Sequence, residues 1–125
     1  MKSSQLHEIL TQHFPHLLDN SVANLKFLIG KNAENNWEIY KSSSQKDVIF
    51  HLDKFSSPYV IVNVSMDDLT PDQIKVAATI CKLRSKYKNM KNIGVSYTPI
   101  SNTILGQDVG SYIIRNNHKK KVIYV

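Results

Sequence analysis

The chain has 125 residues, 42% of them hydrophobic, which fits one domain with its own core and excludes a disordered tail. No stretch approaches the roughly 20 apolar residues of a membrane helix, and the polar opening Met1-Lys-Ser-Ser-Gln-Leu-His-Glu is unlike a signal peptide, so no membrane partner is expected. The net charge of +6 is lopsided: residues 1–72 hold six Lys/Arg against nine Asp/Glu (−3), and residues 73–125 hold ten against Asp108 alone (+9).

In chain order, Ser3 or Ser4 caps a first helix over about Gln5–His13, with Leu6, Ile9 and Leu10 on one face. Pro15 stops it, and a short turn follows at Leu17–Asp19. Leu25–Ile29 reads as a strand ending at Gly30. Ala33, Trp37 and Tyr40 recur at helical spacing and predict about two turns of helix. Ser42-Ser-Ser-Gln-Lys is a loop. Val48–Leu52 and Tyr59–Val64 are strands and sheet neighbours, joined by a polar link with Pro58 at its end. Thr70-Pro71-Asp72-Gln73 opens the clearest helix, with Thr70 as cap, Pro71 at the first position and Gln73 completing a capping box. Val76, Ile80, Leu83 and Tyr87 form its apolar stripe, extended by Ile74, Ala77 and Cys81. Lys75, Thr79, Lys82 and Lys86 form a second stripe. Asn92–Tyr97, Gly110–Arg115 and Val122–Val125 complete the strands, and Asn116-Asn117-His118 turns between the last two. The fold class is α+β: a single domain with a mixed or antiparallel β-sheet, one long helix, an N-terminal helix and a short middle helix.

Chemistry is sparse. His7, His13 and His16 lie close in sequence but lack the cysteines or HExxH spacing of a metal site. Cys81, beside Ala77 and Ala78, reads as a packed thiol; as the lone cysteine it closes no internal disulfide, and a reducing cytoplasm or nucleus is expected. Gly30-Lys31 lacks the glycine spacing of a phosphate loop. No catalytic residue, metal or cofactor is expected. The basic half is more informative. Lys75, Lys82 and Lys86 run on into Arg84, Lys88 and Lys91, and Arg115, His118, Lys119, Lys120 and Lys121 crown the last hairpin. Such fields attract phosphate backbones or anionic lipid. Trp37, Tyr59, Tyr87, Tyr97 and Tyr112 offer stacking surfaces or core. His51 stands out as an ionisable ring within an apolar strand.

Several segments together resemble one family. Gly30-Lys-Asn-Ala-Glu-Asn-Asn36 is similar to the G-R-N-A-x-x-N opening of the NFACT-R domain, the RNA-binding module of proteins in ribosome-associated quality control. Asp47-Val-Ile-Phe-His51 resembles its D-[IL]-W-[FL]-H strand, and Asp53-Lys-Phe-Ser-Ser-Pro-Tyr-Val resembles the turn that follows. The helix Ile74–Lys86, Val95-Ser-Tyr-Thr-Pro99, and Asp108-Val-Gly110 with the closing strands keep the family order. The resemblance runs from about Leu25 to Val125. It divides the chain into an N-terminal helical segment, 1–24, and an NFACT-R-like domain, 25–125, as one structural unit. Its details are closest to short stand-alone members such as the coiled-coil-domain-containing relative, here without the coiled coil. Three positions depart from the pattern: Ile49 stands for Trp, Tyr59 for His, and Thr103-Ile-Leu for a stretch often bearing lysine.

The resemblance implies a non-enzymatic nucleic-acid-binding domain. Its expected partner is RNA, either tRNA or rRNA in translation or ribosome quality control, in the cytoplasm or nucleus. DNA is the other nucleic-acid candidate. The expected contacts are Lys31, His51, Tyr59, Lys82, Lys86, Arg115, Lys119, Lys120 and Lys121, mostly to phosphate, with a base or sugar as the contact expected of His51 or Tyr59. The rival reading is an adaptor for a ribosome- or translation-associated protein, anchored by Trp37 or Phe55.

Overall fold

The computed structural model describes residues 3–17 and 25–125. Its middle strand is the apolar run that carries His51. Five strands form one sheet in the order β1 (Phe27–Ile29), β3 (Val60–Val62), β2 (Val48–Leu52), β4 (Gly94–Pro99) and β7 (Lys121–Tyr124). Every ladder in it is antiparallel, so of the mixed or antiparallel sheet expected the structure takes the antiparallel form. The flanking strands β2 and β3 pair as expected, with Val48 opposite Val62. Phe50 lies opposite Tyr97 on β4, and the two rings stack at 5.1 Å.

β2 is apolar almost throughout because both faces of the sheet are covered. Val48, Phe50 and Leu52 join Val60, Val62 and Val95 in a cluster with the helices α1 (Ser3–His13) and α3 (Pro71–Leu83). Ile49 turns the other way. With Tyr59, Ile61 and Ile100 it packs under α2 (Ala33–Ser42) through Trp37, Ile39 and Tyr40. Tyr112 joins this second layer from a two-stranded ribbon, β5 (Thr103–Leu105) with β6 (Tyr112–Ile114). His51 faces the same layer, edge-on to Tyr59 and Tyr112 with ring centroids 5.8 Å away in each case.

α3 begins as its sequence dictates. The Thr70 hydroxyl accepts from Gln73 N–H at 3.1 Å, and the Gln73 side chain accepts from Thr70 N–H at 3.0 Å, with Pro71 at the first position. Val76, Ala77, Ala78, Ile80 and Cys81 are buried. The helix ends at Leu83, earlier than the expected run to Lys86. Ser85 is the local cause: its hydroxyl donates to Lys82 O at 2.7 Å and accepts from Tyr87 N–H at 3.1 Å, replacing the helical ladder. Lys86 and Tyr87 therefore lie beyond the helix.

The closing strands also differ from expectation. Thr103–Leu105 is a strand that is not among those expected from the sequence, and it takes β6 as its partner, with Ile104 opposite Ile113. β7 instead joins β4, and Val125 exchanges both backbone hydrogen bonds with Ile93 at 2.9 and 3.0 Å. The expected last hairpin is thus split between two sheets. At the other end, α1 already includes Ser3 and Ser4, so neither precedes it as a cap. Pro15 opens a short helical turn to Leu17; Leu18 and Asp19 of the expected turn, and the division at residue 24, lie outside the described residues. Leu6, Leu10, Phe14 and Leu17 enter the same core as the sheet. Among the described residues no helix is long and apolar enough to cross a membrane.

Candidate nucleic-acid interface

The segment Gly30–Asn36 is a structural clamp. Asn32 caps α2 by accepting from Asn35 N–H at 2.8 Å, and the Asn35 side chain accepts from Lys31 N–H at 3.0 Å. Asn36 is buried, and its side-chain oxygen accepts from Tyr59 N–H at 3.0 Å. Gly30 N–H donates to Tyr59 O at 3.0 Å. A Cβ at Gly30 would collide with Asn36 Oδ1, so a close approach requires the glycine there. The clamp fixes the start of α2 beside the start of β3 and holds Lys31 between them.

A second clamp fixes the loop before β6. Gly110 has a φ of +86°, and a Cβ there would lie 2.7 Å from Ala33 Cβ. Its carbonyl accepts from the Tyr59 hydroxyl at 2.6 Å, and Trp37 Nε1 donates to Ser111 O at 2.9 Å.

Between these clamps lies an open cleft of about 590 Å³. Four separated stretches of chain line it: Lys31–Ala33 with Asn36, His51 with Ser56–Pro58, Arg84–Lys86, and Val109–Ser111. A neighbouring hollow of about 400 Å³ shares Lys31, Pro58 and Arg84 with it. Among the described residues no Asp or Glu lines either cavity, and no Phe, Tyr or Trp lines the cleft. Lys31, Arg84 and Lys86 are exposed, with the Lys86 ammonium 5.4 Å from the centre of the Tyr87 ring. Such an acid-free, cationic concavity suits an anion.

His51 Nδ1 lies 2.7 Å from Leu52 O. A carbonyl only accepts, so Nδ1 carries the hydrogen and, in the neutral ring, Nε2 carries the lone pair. Burial holds the imidazole pKa below its ordinary 6.5, partly opposed by the Leu52 bond and by the charge of Asp53. The ring is therefore neutral at pH 7. The unfolded chain takes up this proton near pH 6.5, whereas the folded chain resists it to lower pH. His51 thus contributes stability above about pH 6.5 that is lost as pH falls through its lowered folded value. On going from pH 7.5 to about 5, the wild type should lose more thermal stability than His51→Phe. Parallel unfolding curves of the two proteins across that range would contradict the assignment.

The structure brings Lys31, His51 and Lys86 into one site and separates the other expected contacts from it. Tyr59 is 0% exposed and serves as the post to which both clamps are tied, so its ring has no free face for a ligand. Lys82 is half-buried and donates to Val125 O at 3.2 Å, away from the cleft lining. Arg115, Lys119 and Lys121 are exposed elsewhere, and Lys120 pairs with Asp53 at 3.3 Å. Arg84, noted in sequence only as part of a charge run, is a full member of the cleft; nothing local in the sequence marks Ser111. Cys81 is buried against Ser57 and Pro58, and burial pushes its thiol up to about 11, far from a nucleophile's range. Among the described residues no group of three His, Cys, Asp or Glu side chains is placed to hold a metal.

Comparison with known proteins agrees with this architecture. No curated protein matches the chain. Among solved structures, the C-terminal part of the fibronectin/fibrinogen-binding protein of Streptococcus suis superposes with a TM-score of 0.68 at 22% identity. The match covers 82% of this chain and 42% of that one, so this chain spans less than half the length of the solved relative. At that identity the likeness is one of fold. The family defined as the NFACT protein RNA binding domain matches residues 14–116, most of the sequence. The chain belongs to the NFACT-R family of RNA-binding domains.

Proposed function

We propose that this domain binds RNA through the cleft, gripping the sugar–phosphate backbone with Lys31, Arg84 and Lys86. The observation that carries this reading is the convergence of those three cations around His51 in a concavity that no carboxylate lines among the described residues. Family membership supplies the ligand class. The lining offers charge, hydroxyls and backbone groups, and among the described residues no Phe, Tyr or Trp, which favours backbone contacts over base readout. Structured RNA of translation, tRNA or rRNA, is the proposed partner, in line with the role of NFACT proteins in ribosome quality control. The exposed Arg115, Lys119 and Lys121 act as a second, auxiliary contact region.

A titration against salt tests this. Three phosphate contacts give a slope of log K against log salt of about −2 to −3, and auxiliary contacts steepen it. Fluorescence anisotropy with labelled tRNA, an rRNA hairpin and duplex DNA between roughly 50 and 200 mM salt reads the slope directly. A flat response, or no binding to any of the three, would refute the function.

A further inference from the structure

We infer that His51 distinguishes RNA from DNA in this cleft, its Nε2 accepting a hydrogen bond from a ribose 2′-hydroxyl while the cations hold the adjoining phosphates. The inference rests on the reading of the cleft as an RNA site.

The geometry limits what can meet His51. Its Nδ1–H is committed to Leu52 O at 2.7 Å, so in the neutral ring Nε2 is an acceptor. Among the described residues no protein group bonds Nε2, and no fully buried side-chain nitrogen or oxygen lacks a partner, so Nε2 keeps some accessible surface in a half-buried residue that lines the cleft. His51 lines the cleft, and T-shaped contacts with Tyr59 and Tyr112 hold its ring. An acceptor lone pair repels phosphate oxygens, so the anion belongs to Lys31, Arg84 and Lys86. The group opposite Nε2 must donate. A DNA backbone carries no hydrogen-bond donor at all. An RNA backbone carries one per nucleotide, the 2′-hydroxyl, a single sugar away from two phosphates. Base amino and imino N–H groups are the other donors in a nucleic acid, but among the described residues no Phe, Tyr or Trp lines the cleft to stack a base beside His51.

The test varies the ligand before the protein. A single-stranded oligoribonucleotide, its 2′-fluoro counterpart and the DNA of the same sequence are titrated against the full chain. The 2′-fluoro strand keeps a ribose-like pucker but has no donor. The wild type should bind the ribonucleotide roughly tenfold more tightly than the 2′-fluoro strand. His51→Phe, which keeps a ring against Tyr59 and Tyr112 but has no acceptor, should bind the two strands alike, its folding checked by thermal unfolding. Equal wild-type affinity for the ribo and 2′-fluoro strands overturns the inference while leaving RNA binding intact. So does a His51→Phe protein that still discriminates, or one that loses affinity for both strands equally. Absence of RNA binding by the wild type refutes the underlying function as well. If His51→Phe does not fold, His51→Leu, which equally lacks an acceptor, carries the same comparison.

Discussion

Replacing Lys31, Arg84 and Lys86 together with alanine is expected to weaken RNA binding about a hundredfold at roughly 0.1 M salt. Each phosphate contact on a single strand releases about 0.7 of a counterion, so three contacts are worth about two decades of affinity at that ionic strength. The slope of log K against log salt should fall by about two at the same time. All three side chains are exposed, and the lost cation–π contact with Tyr87 is a surface one, so stability should change little. The comparison protein is Lys119/Lys120/Lys121→Ala. There Lys120 is already engaged with Asp53, so at most two free cations are removed and the loss should be smaller. Anisotropy titrations of the two variants side by side decide the location of the site. An unaffected cleft variant beside a non-binding Lys119–Lys121 variant would move the interface to the far basic surface.

The second large effect concerns the Gly30 clamp. Gly30→Ala drives a methyl group into Asn36 Oδ1 and should cost about 2–3 kcal/mol. Asn36→Ala strands the Tyr59 N–H in a buried place and should cost about the same. The double variant has room for the new methyl, because the side chain it struck is gone. Its loss should equal that of Asn36→Ala alone, not the sum, giving a coupling of about 2–3 kcal/mol. Each single variant should melt about 10 °C lower, taking roughly 4 °C per kcal/mol for a domain of this size. Additive melting losses would mean that Gly30 is needed for a reason other than clearance over Asn36.

This clamp also illustrates what a sequence can and cannot disclose. Gly30 and Asn36 are visible as part of a family-like string, but their purpose is a contact with Tyr59, and no local pattern encodes it. The same gap explains Tyr59. A tyrosine opening an apolar strand fits a stacking platform as well as a buried post, and only its bonds to Asn36 and Gly110 separate the two. What depends on neighbours in sequence was legible: the Thr70–Gln73 capping box, the strand Val48–Leu52 and the period of α3. What depends on partners far along the chain was not. Thr103–Leu105 is a strand because Tyr112–Ile114 lies beside it, and β7 leaves its sequence neighbour β6 to complete the sheet at β4. The cleft follows the same rule. Lys31, His51 and Lys86 were legible as individual candidates from charge or family motif, but their meeting, and the inclusion of Arg84 and Ser111, are products of topology.

That topology sets a timetable for assembly. In the large sheet only β2 and β3 can meet across a short connection; β1 reaches β3, β4 reaches β2 and β7 reaches β4 only after tens of residues have been looped out. Closing such loops costs chain entropy before the pairing returns any stability, and folds dominated by distant pairings form in about milliseconds to seconds. During synthesis from the N-terminus, β4 emerges with its outer backbone edge unpaired and stays so until Lys121–Tyr124 follow. The last of these ladders to become available thus covers an edge that until then is open to pairing with another nascent chain.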